Sequence, residues 1–214
     1  MSLLAQIDVL KVGMTDKVPA EVLQAMGKAA EDLAASGITE KALKAGARAP
    51  VFELPDAEGR PVRLNELLKD GPVVLVFYRG QWCPFCNLTL AALQRVLPEI
   101  REAGATLVAV SPQTPQSTAA TVKASAIDFP VLSDMGNHVA RSFGLVFLLA
   151  ADMRPIYRDL GADLPDFNGD ASYELPLAAT YVIGKDRRVA YAFVDSDYTR
   201  RLEPAEIVRI VKAL

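Results

Sequence analysis

An α/β architecture, with a central mixed sheet covered by helices on both faces, is the fold class this sequence predicts. Three features predict it. Continuous apolar runs of strand length alternate with segments of helical periodicity between residues 73 and 143. Residues 180–183 and 189–194 read as a hairpin joined through 184–188, and residues 204–214 read as a closing helix. The first 45 residues carry helical patterning only, so they read as an extension of a domain spanning 46–214.

Taken in order, Leu3, Leu4, Ile7 and Leu10 form one apolar stripe, and Val22, Met26, Ala29, Ala30 and Leu33 form another. Pro19 suits a first helical turn, Gly37 a helix stop, and Thr39 a cap for a short segment running to about Lys44. These stripes are expected to pack on the main domain or on a second subunit. Residues 73–78 are apolar, β-branched or aromatic throughout, as in a strand buried on both faces. Pro84 opens a helix running to about Arg101, with Leu88, Ala92, Leu93, Val96, Leu97 and Ile100 at helical spacing. A second buried strand covers 106–111 and a second helix 115–124, followed by a short strand at 129–132 and a helix at 137–143. The stretch from 152 to 174 is rich in turn formers and reads as a polar insertion or surface loop. Ile207, Ile210 and Val211 turn the closing helix inward.

Lys plus Arg number 23 and Asp plus Glu 26, a formal net charge of −3 with no dense basic run. Nucleic acid and anionic membrane are therefore not expected partners. The longest apolar run, 143–151, is far shorter than the roughly 20 residues that span a bilayer. Residues 1–11 carry Asp8 inside their apolar stretch and lack a basic leader or cleavage site, so a cytoplasmic location is expected.

Only two cysteines are present, Cys83 and Cys86, in a C-x-x-C spacing directly after a core strand and at the start of a helix. Pro84 fits the first helical turn because its missing N–H would be unpaired there anyway. That puts Cys83 near the N-cap and Cys86 near the third helical position, with both sulfurs at the positive end of the helix. Such settings lower a thiol pKa from ~8.5 to between ~7.5 and ~3.5, so a thiolate, exposed where the chain leaves the sheet, is expected at neutral pH. Residues three apart share a helical face, and a reversible disulfide is geometrically available. A reducing compartment argues against a structural staple. Zinc needs four ligands, and the pair plus the single histidine, His138, supplies three.

Four segments carry a family resemblance: Gly46-x-x-Ala49-Pro50-x-Phe52-x-Leu54, the run from Val73 through Arg79-Gly80-Gln81-Trp82-Cys83-Pro84-Phe85-Cys86, Phe129-Pro130-Val131-Leu132-Ser133-Asp134, and Ala179-Thr180-Tyr181-Val182-Ile183. Together they resemble the peroxiredoxin-like proteins of the alkyl hydroperoxide reductase and thiol-specific antioxidant group, within the thioredoxin-fold superfamily, from Gly46 onward. The resemblance implies a thioredoxin-like fold and a thiol-dependent peroxidase reducing hydrogen peroxide or organic hydroperoxides. It further implies a thioredoxin, glutaredoxin or glutathione-type reductant, a homodimer, and no cofactor.

The sequence departs from the family at named positions. Peroxiredoxins usually carry Pro-x-x-x-Thr-x-x-Cys, whose last residue attacks peroxide; here Arg79 stands for the proline, Cys83 for the threonine and Cys86 for the attacking cysteine. Against thioredoxin, Trp82-Cys83-Pro84-Phe85-Cys86 resembles a Trp-Cys-x-x-Cys site, in which the first cysteine attacks. The two resemblances name different nucleophiles. Before Thr180, where thioredoxins place a cis-proline and many peroxiredoxins an arginine, this chain has Ala178. Arg79 reads either as a substitute cation or as an exposed loop residue, and Trp82 as a wall of the site. A thiol-disulfide oxidoreductase and a non-catalytic redox sensor stay open as alternatives.

Other polar features read as structural. Asp163, Asp166, Asn168 and Asp170 resemble part of a calcium loop, yet Leu177 occupies the twelfth position, where a glutamate belongs. Arg187, Arg188, Arg200 and Arg201 read as solvated charge, and His138 as a surface or capping residue.

Overall fold

No side chain in the run Val73-Val74-Leu75-Val76-Phe77 needs water, and the chain uses it as the middle of its sheet. In the computed structural model, which describes residues 1–214, three helices come first: α1 (Leu3–Thr15), α2 (Ala20–Ala35) and α3 (Ile38–Lys41). A small hairpin, β1 (Glu53–Pro55) and β2 (Pro61–Arg63), leads to α4 (Leu64–Asp70). The alternating part follows as β3 (Val73–Phe77), α5 (Pro84–Glu102), β4 (Thr106–Ser111), α6 (Pro115–Ser125), β5 (Val131–Ser133) and α7 (His138–Ser142). Then come β6 (Val146–Leu148), α8 (Met153–Asp159), α9 (Leu164–Asn168) and β7 (Glu174–Pro176), and finally β8 (Ala179–Ile183), β9 (Val189–Val194) and α10 (Pro204–Lys212).

The main sheet has the order β5-β4-β3-β8-β9. β3, β4 and β5 are parallel, while β8 runs antiparallel to both β3 and β9, so the sheet is mixed, as the sequence predicts. Alternate residues of β3 serve opposite faces. Val74 and Val76 pack with Leu90, Leu93 and Leu97 of α5 and Ile207 and Val211 of α10. Val73, Leu75 and Phe77 pack on the other face with Leu64 and Leu68 of α4 and with Val139 and Phe143. Each such fully buried aliphatic side chain contributes roughly 1.5–3 kcal/mol of burial free energy.

Leu3 and Ile7 of α1 are buried in the α5 face of the core, as their stripe predicts, whereas Leu4 is 44% exposed. The amino end of α1 is tied to the far end of the chain: the Glu203 carboxylate accepts from the backbone N–H groups of Leu3 and Leu4 at 3.2 and 2.8 Å. No residue of α2 is fully buried, and the helix rests on α8. Thr39 lies inside α3 rather than capping it, because Gly37, at φ +68°, makes the turn two residues earlier.

The stretch expected as a polar loop, 152–174, is instead two short helices closed by the ribbon β6–β7. Leu149, Met153, Tyr157, Ala162, Leu164 and Leu175 form a small core of their own there. Their apolar positions are spread among polar ones, so no single period marks them. No helix is long and apolar enough to cross a membrane.

Candidate active site

β3 ends at Phe77, and seven residues later, at Pro84, the chain has entered α5. Gly80 makes this possible: at φ +153° it lets the Trp82 ring fold back to where a Cβ on residue 80 would sit 2.4 Å from the indole nitrogen. Gln113, which is fully buried, fixes the loop by accepting from the Gln81 N–H at 2.7 Å, and Asn87 donates to the Gln81 carbonyl at 2.8 Å. Cys83 is the N-cap of α5, Pro84 its first residue and Cys86 its third, as the sequence predicts. The carbonyl of Cys83 accepts from the N–H groups of Cys86 and Asn87 at 3.0 and 3.1 Å.

Both cysteines are free thiols and lie 3.0 Å apart. Burial raises both thiol pKa values, and their mutual hydrogen bond then splits the pair. Cys83 is held well above the ordinary thiol range by burial, by donating its proton to Cys86 and by the negative charge there. Cys86 falls well below it, because burial is more than offset by the Cys83 hydrogen bond, by Arg201, by Arg79 and by the Arg79 backbone N–H. Both shifts point the same way, with Cys86 the more acidic sulfur of the pair. Near it the buried Tyr78 hydroxyl is pushed up to about 12, chiefly by burial, and stays protonated.

Two arginines face this charge. Arg79 is buried rather than exposed: its guanidinium carbon lies 4.8 Å from the centre of the Trp82 ring, 5.5 Å from Tyr157 and 4.7 Å from Tyr198. It donates to the Tyr157 hydroxyl at 2.5 Å. Arg201, expected to be solvated, is also buried, and this reading is corrected: it donates to the Cys86 sulfur at 3.6 Å and to the Arg200 carbonyl at 2.7 Å. Its neighbour Arg200 points outward to Asp195 at 2.9 Å, so the loop between β9 and α10 divides the two arginines. Neither Arg79 nor Arg201 is paired with a carboxylate. The sequence reading missed Arg201, Tyr198 and Gln113, and the sole signal for any of them is polar character near strand ends.

The expectation of exposed sulfurs is also corrected. Cys83 is 2% exposed and Cys86 not at all. Cys83 borders a cavity of about 230 Å³ together with Arg79 and Trp82, while Cys86 lies behind it. Trp82 lines this cavity, and its ring meets Tyr157 edge to face at 5.5 Å. Ala178 is buried and shares a narrow void of about 40 Å³ with Arg79. Thr180 is buried in β8 beside Ala178, Thr89 and Arg201. His138 is exposed at the start of α7 and does not line the cavity beside Cys83. Asp163, Asp166 and Asn168 lie on or beside α9, and no three His, Cys, Asp or Glu side chains are grouped to hold a metal ion.

Comparison with known proteins places this geometry. Residues 45–192 match the AhpC/TSA family. Peroxiredoxin Bcp of Escherichia coli is 33% identical over 104 residues, which are 48% of this chain and 65% of that one. The chloroplastic peroxiredoxin Q of Sedum lineare is 36% identical over 100 residues, 47% of this chain and 53% of that one. Among solved structures, the peroxidoxin BcpB of Mycobacterium tuberculosis superimposes with a TM-score of 0.63 at 27% identity, covering 80% of this chain and 98% of that one. The family match takes in well over half the sequence and includes the cysteine loop, α5 and β8. The chain belongs to the AhpC/TSA family, with the thioredoxin-like fold of the peroxiredoxins and their thiol-dependent oxidoreductase chemistry.

Proposed function

We propose that in this thiol-dependent peroxidase Cys86 attacks the peroxide and Cys83 resolves the product. The observation that carries the reading is the set of groups around Cys86: the hydrogen bond from Cys83 and the cations of Arg201 and Arg79 all favour the thiolate on that sulfur. In the first step the Cys86 thiolate attacks one oxygen of R–O–O–H. An S–O bond forms, the O–O bond breaks, and its electron pair leaves on RO⁻, which takes a proton to become ROH. Cys86 is now a sulfenic acid. The Cys83 thiol then attacks that sulfur, the S–S bond forms, the S–O bond breaks, and water leaves. An external dithiol of the thioredoxin type, or a glutathione-type thiol, reduces the disulfide and is itself oxidised. A reducing, cytoplasmic compartment suits this cycle, and a homodimer fits the family.

The chain's own residues divide the work. Cys83, standing where relatives carry threonine, first donates its S–H to the thiolate and later forms the disulfide. Arg201 and Arg79 stabilise the charge, with Thr180 packed beside Arg201 and Ala178 sharing a void with each arginine. Arg201 takes over the duty that Ala178, lacking a charge, cannot perform.

A second reading, thiol-disulfide exchange through Cys83, is favoured by one observation: Cys83 and not Cys86 borders the cavity. Peroxide-driven sulfenic acid, trapped by dimedone and read by intact mass, decides between them. The expected result is trapping in Cys83→Ser and none in Cys86→Ser. Trapping in Cys86→Ser alone makes Cys83 the nucleophile, and disulfide reduction without peroxide turnover makes the protein an oxidoreductase of the second kind.

A further inference from the structure

We propose that Glu203 is a positioning residue for the peroxidase: by holding the amino end of α1 it fixes the segment that carries Arg201, and so keeps that guanidinium against Cys86. The inference rests on the peroxidase reading and adds to it a residue that acts through another.

Glu203 stands at the N-cap of α10. Ser, Thr, Asp and Asn cap well because their short side chains reach the first free N–H groups of the helix they open. The longer Glu203 makes no such bond to α10. Its carboxylate instead accepts from the N–H groups of Leu3 and Leu4, the first two residues of α1, at 3.2 and 2.8 Å. Donors at this end of a helix have no partner within it, and a carboxylate here also meets the positive pole of the helix. Charge-assisted bonds of this kind are about twice as strong as neutral ones.

The helix so anchored reaches both partners of the charge pair. On one side α1 packs on α5, which carries Cys86, with Leu3 and Ile7 in the same core as Cys86 and Leu90. On the other it meets Glu203, two residues beyond Arg201, and Leu202 between them lies in that core as well. The loop before Arg201 is fixed by Asp197, which accepts from Thr199. The Arg201 side chain has the carbonyl of its own neighbour Arg200 and the Cys86 sulfur. Glu203 therefore fixes the other end of the segment. The groups that face Cys86 are Cys83, Tyr78, Arg79 and Arg201, and of these Arg201 alone lies on the segment that α1 holds. Both α1 and Arg201 fall outside residues 45–192, the span matched to the family, so the cation and its support lie together beyond that span.

The test is a double-variant cycle read on the lower of the two thiolate steps at 240 nm across pH, and on the pH profile of kcat/KM for hydrogen peroxide with dithiothreitol as regenerating thiol. Glu203→Ala should move the midpoint of that step up by about 0.5 to 1 pH unit, a part of what losing a full charge contact costs. On the acid limb of the profile this lowers kcat/KM about threefold to tenfold. Glu203→Gln, which keeps one oxygen acceptor, should do less. In an Arg201→Met background, Glu203→Ala should leave the midpoint in place and change kcat/KM less than about twofold, because the group it acts through is gone. Near-ultraviolet circular dichroism establishes that each variant is folded. A folded Glu203→Ala with an unmoved midpoint, or one whose effect persists in full without Arg201, overturns the proposal while leaving the peroxidase reading intact. A step that stays at the same pH in Cys86→Ser assigns the acidic sulfur to Cys83 and overturns that reading, and the proposal with it.

Discussion

Two loops meet over the sulfur pair, and each buries an arginine by different means. The loop at 79–83 holds Arg79 among the faces of Trp82, Tyr157 and Tyr198, with one hydrogen bond to a hydroxyl. The loop at 195–203 gives Arg201 a single backbone carbonyl and the Cys86 sulfur. Ring faces stabilise a buried cation wherever the thiolate happens to be. Arg201 lacks that support, so more of its charge is directed at Cys86. The pKa shifts agree: Cys86 depends on Arg201 ahead of Arg79, and Cys83 on Arg79 ahead of Arg201. Two cations at one site are thus unequal, and each belongs chiefly to one sulfur.

Arg201→Met breaks this comparison most sharply. An opposite charge close to a titrating group shifts its pKa by roughly 1–3 units, so kcat/KM for peroxide at pH 7 should fall about 100-fold. The sign follows from the lowered pKa of Cys86: without Arg201 the pKa rises, the thiolate fraction at neutral pH drops, and activity returns as pH is raised toward the ordinary thiol value. Thiolate absorbance at 240 nm across pH provides the measurement. A titration curve superimposable on that of the unmodified protein contradicts the assignment.

Cys83→Ala should cost a comparable amount, about 100-fold at pH 7, because it removes the S–H whose donation lowers the Cys86 pKa at least as much as Arg201 does, while leaving both arginines. It also removes the resolving sulfur. Under moderate peroxide the variant should accumulate a +32 Da sulfinic acid that the unmodified protein forms only slowly, a difference visible in the intact mass. Stability carries the same signature. A lowered Cys86 pKa adds stability that is present above the unfolded thiol value and is lost as pH falls through the folded one. A raised Cys83 pKa adds stability that is present below that value and is lost as pH rises toward the folded one. Unfolding free energy, measured against the Cys83→Ser, Cys86→Ser double variant, should therefore peak near pH ~8.5. A monotonic difference across that range would show that the two sulfurs are not split.

Arg79→Met should reduce kcat/KM only about threefold to tenfold, since Arg201 still faces Cys86 and the methionine can fill part of the aromatic cage. The comparison predicts the order as much as the size. If Arg79→Met proves more damaging than Arg201→Met, the caged cation is the one that serves the thiolate, and the roles exchange.

What the sequence makes legible here divides along the same two loops. Cys83 and Cys86 can be placed from local chemistry, because Pro84 sets the first turn of α5 and the apolar spacing through Leu93, Leu97 and Ile100 fixes its inner face. β3 and the hairpin β8–β9 are equally local, being set by runs of buried residues and a short turn. Arg201 touches a sulfur 115 residues away in the chain, and nothing in the dipeptide Arg200-Arg201 says which side chain turns inward. That choice is made by the loop: Asp197 accepts from the Thr199 N–H and hydroxyl, and Asp195 draws Arg200 outward. Tyr157 escapes notice for a related reason, since its burial depends on α2 and on Leu175 across β7, and not on a stripe within α8.

The smallest effect belongs to the bridge that performs this sorting. Arg200 is 65% exposed at the side chain and Asp195 20%, so their pair at 2.9 Å is screened and contributes at most about 1 kcal/mol. Asp195→Asn should lower kcat/KM less than about threefold, because Asp197 still holds the turn and Arg201 still has its carbonyl. The deficit should shrink further in 1 M salt, where the unmodified protein also loses the bridge. A loss comparable to that of Arg201→Met, unchanged by salt, would mean that Asp195 and not the loop backbone holds Arg201 inward. The cation at Cys86 would then be set by a surface charge.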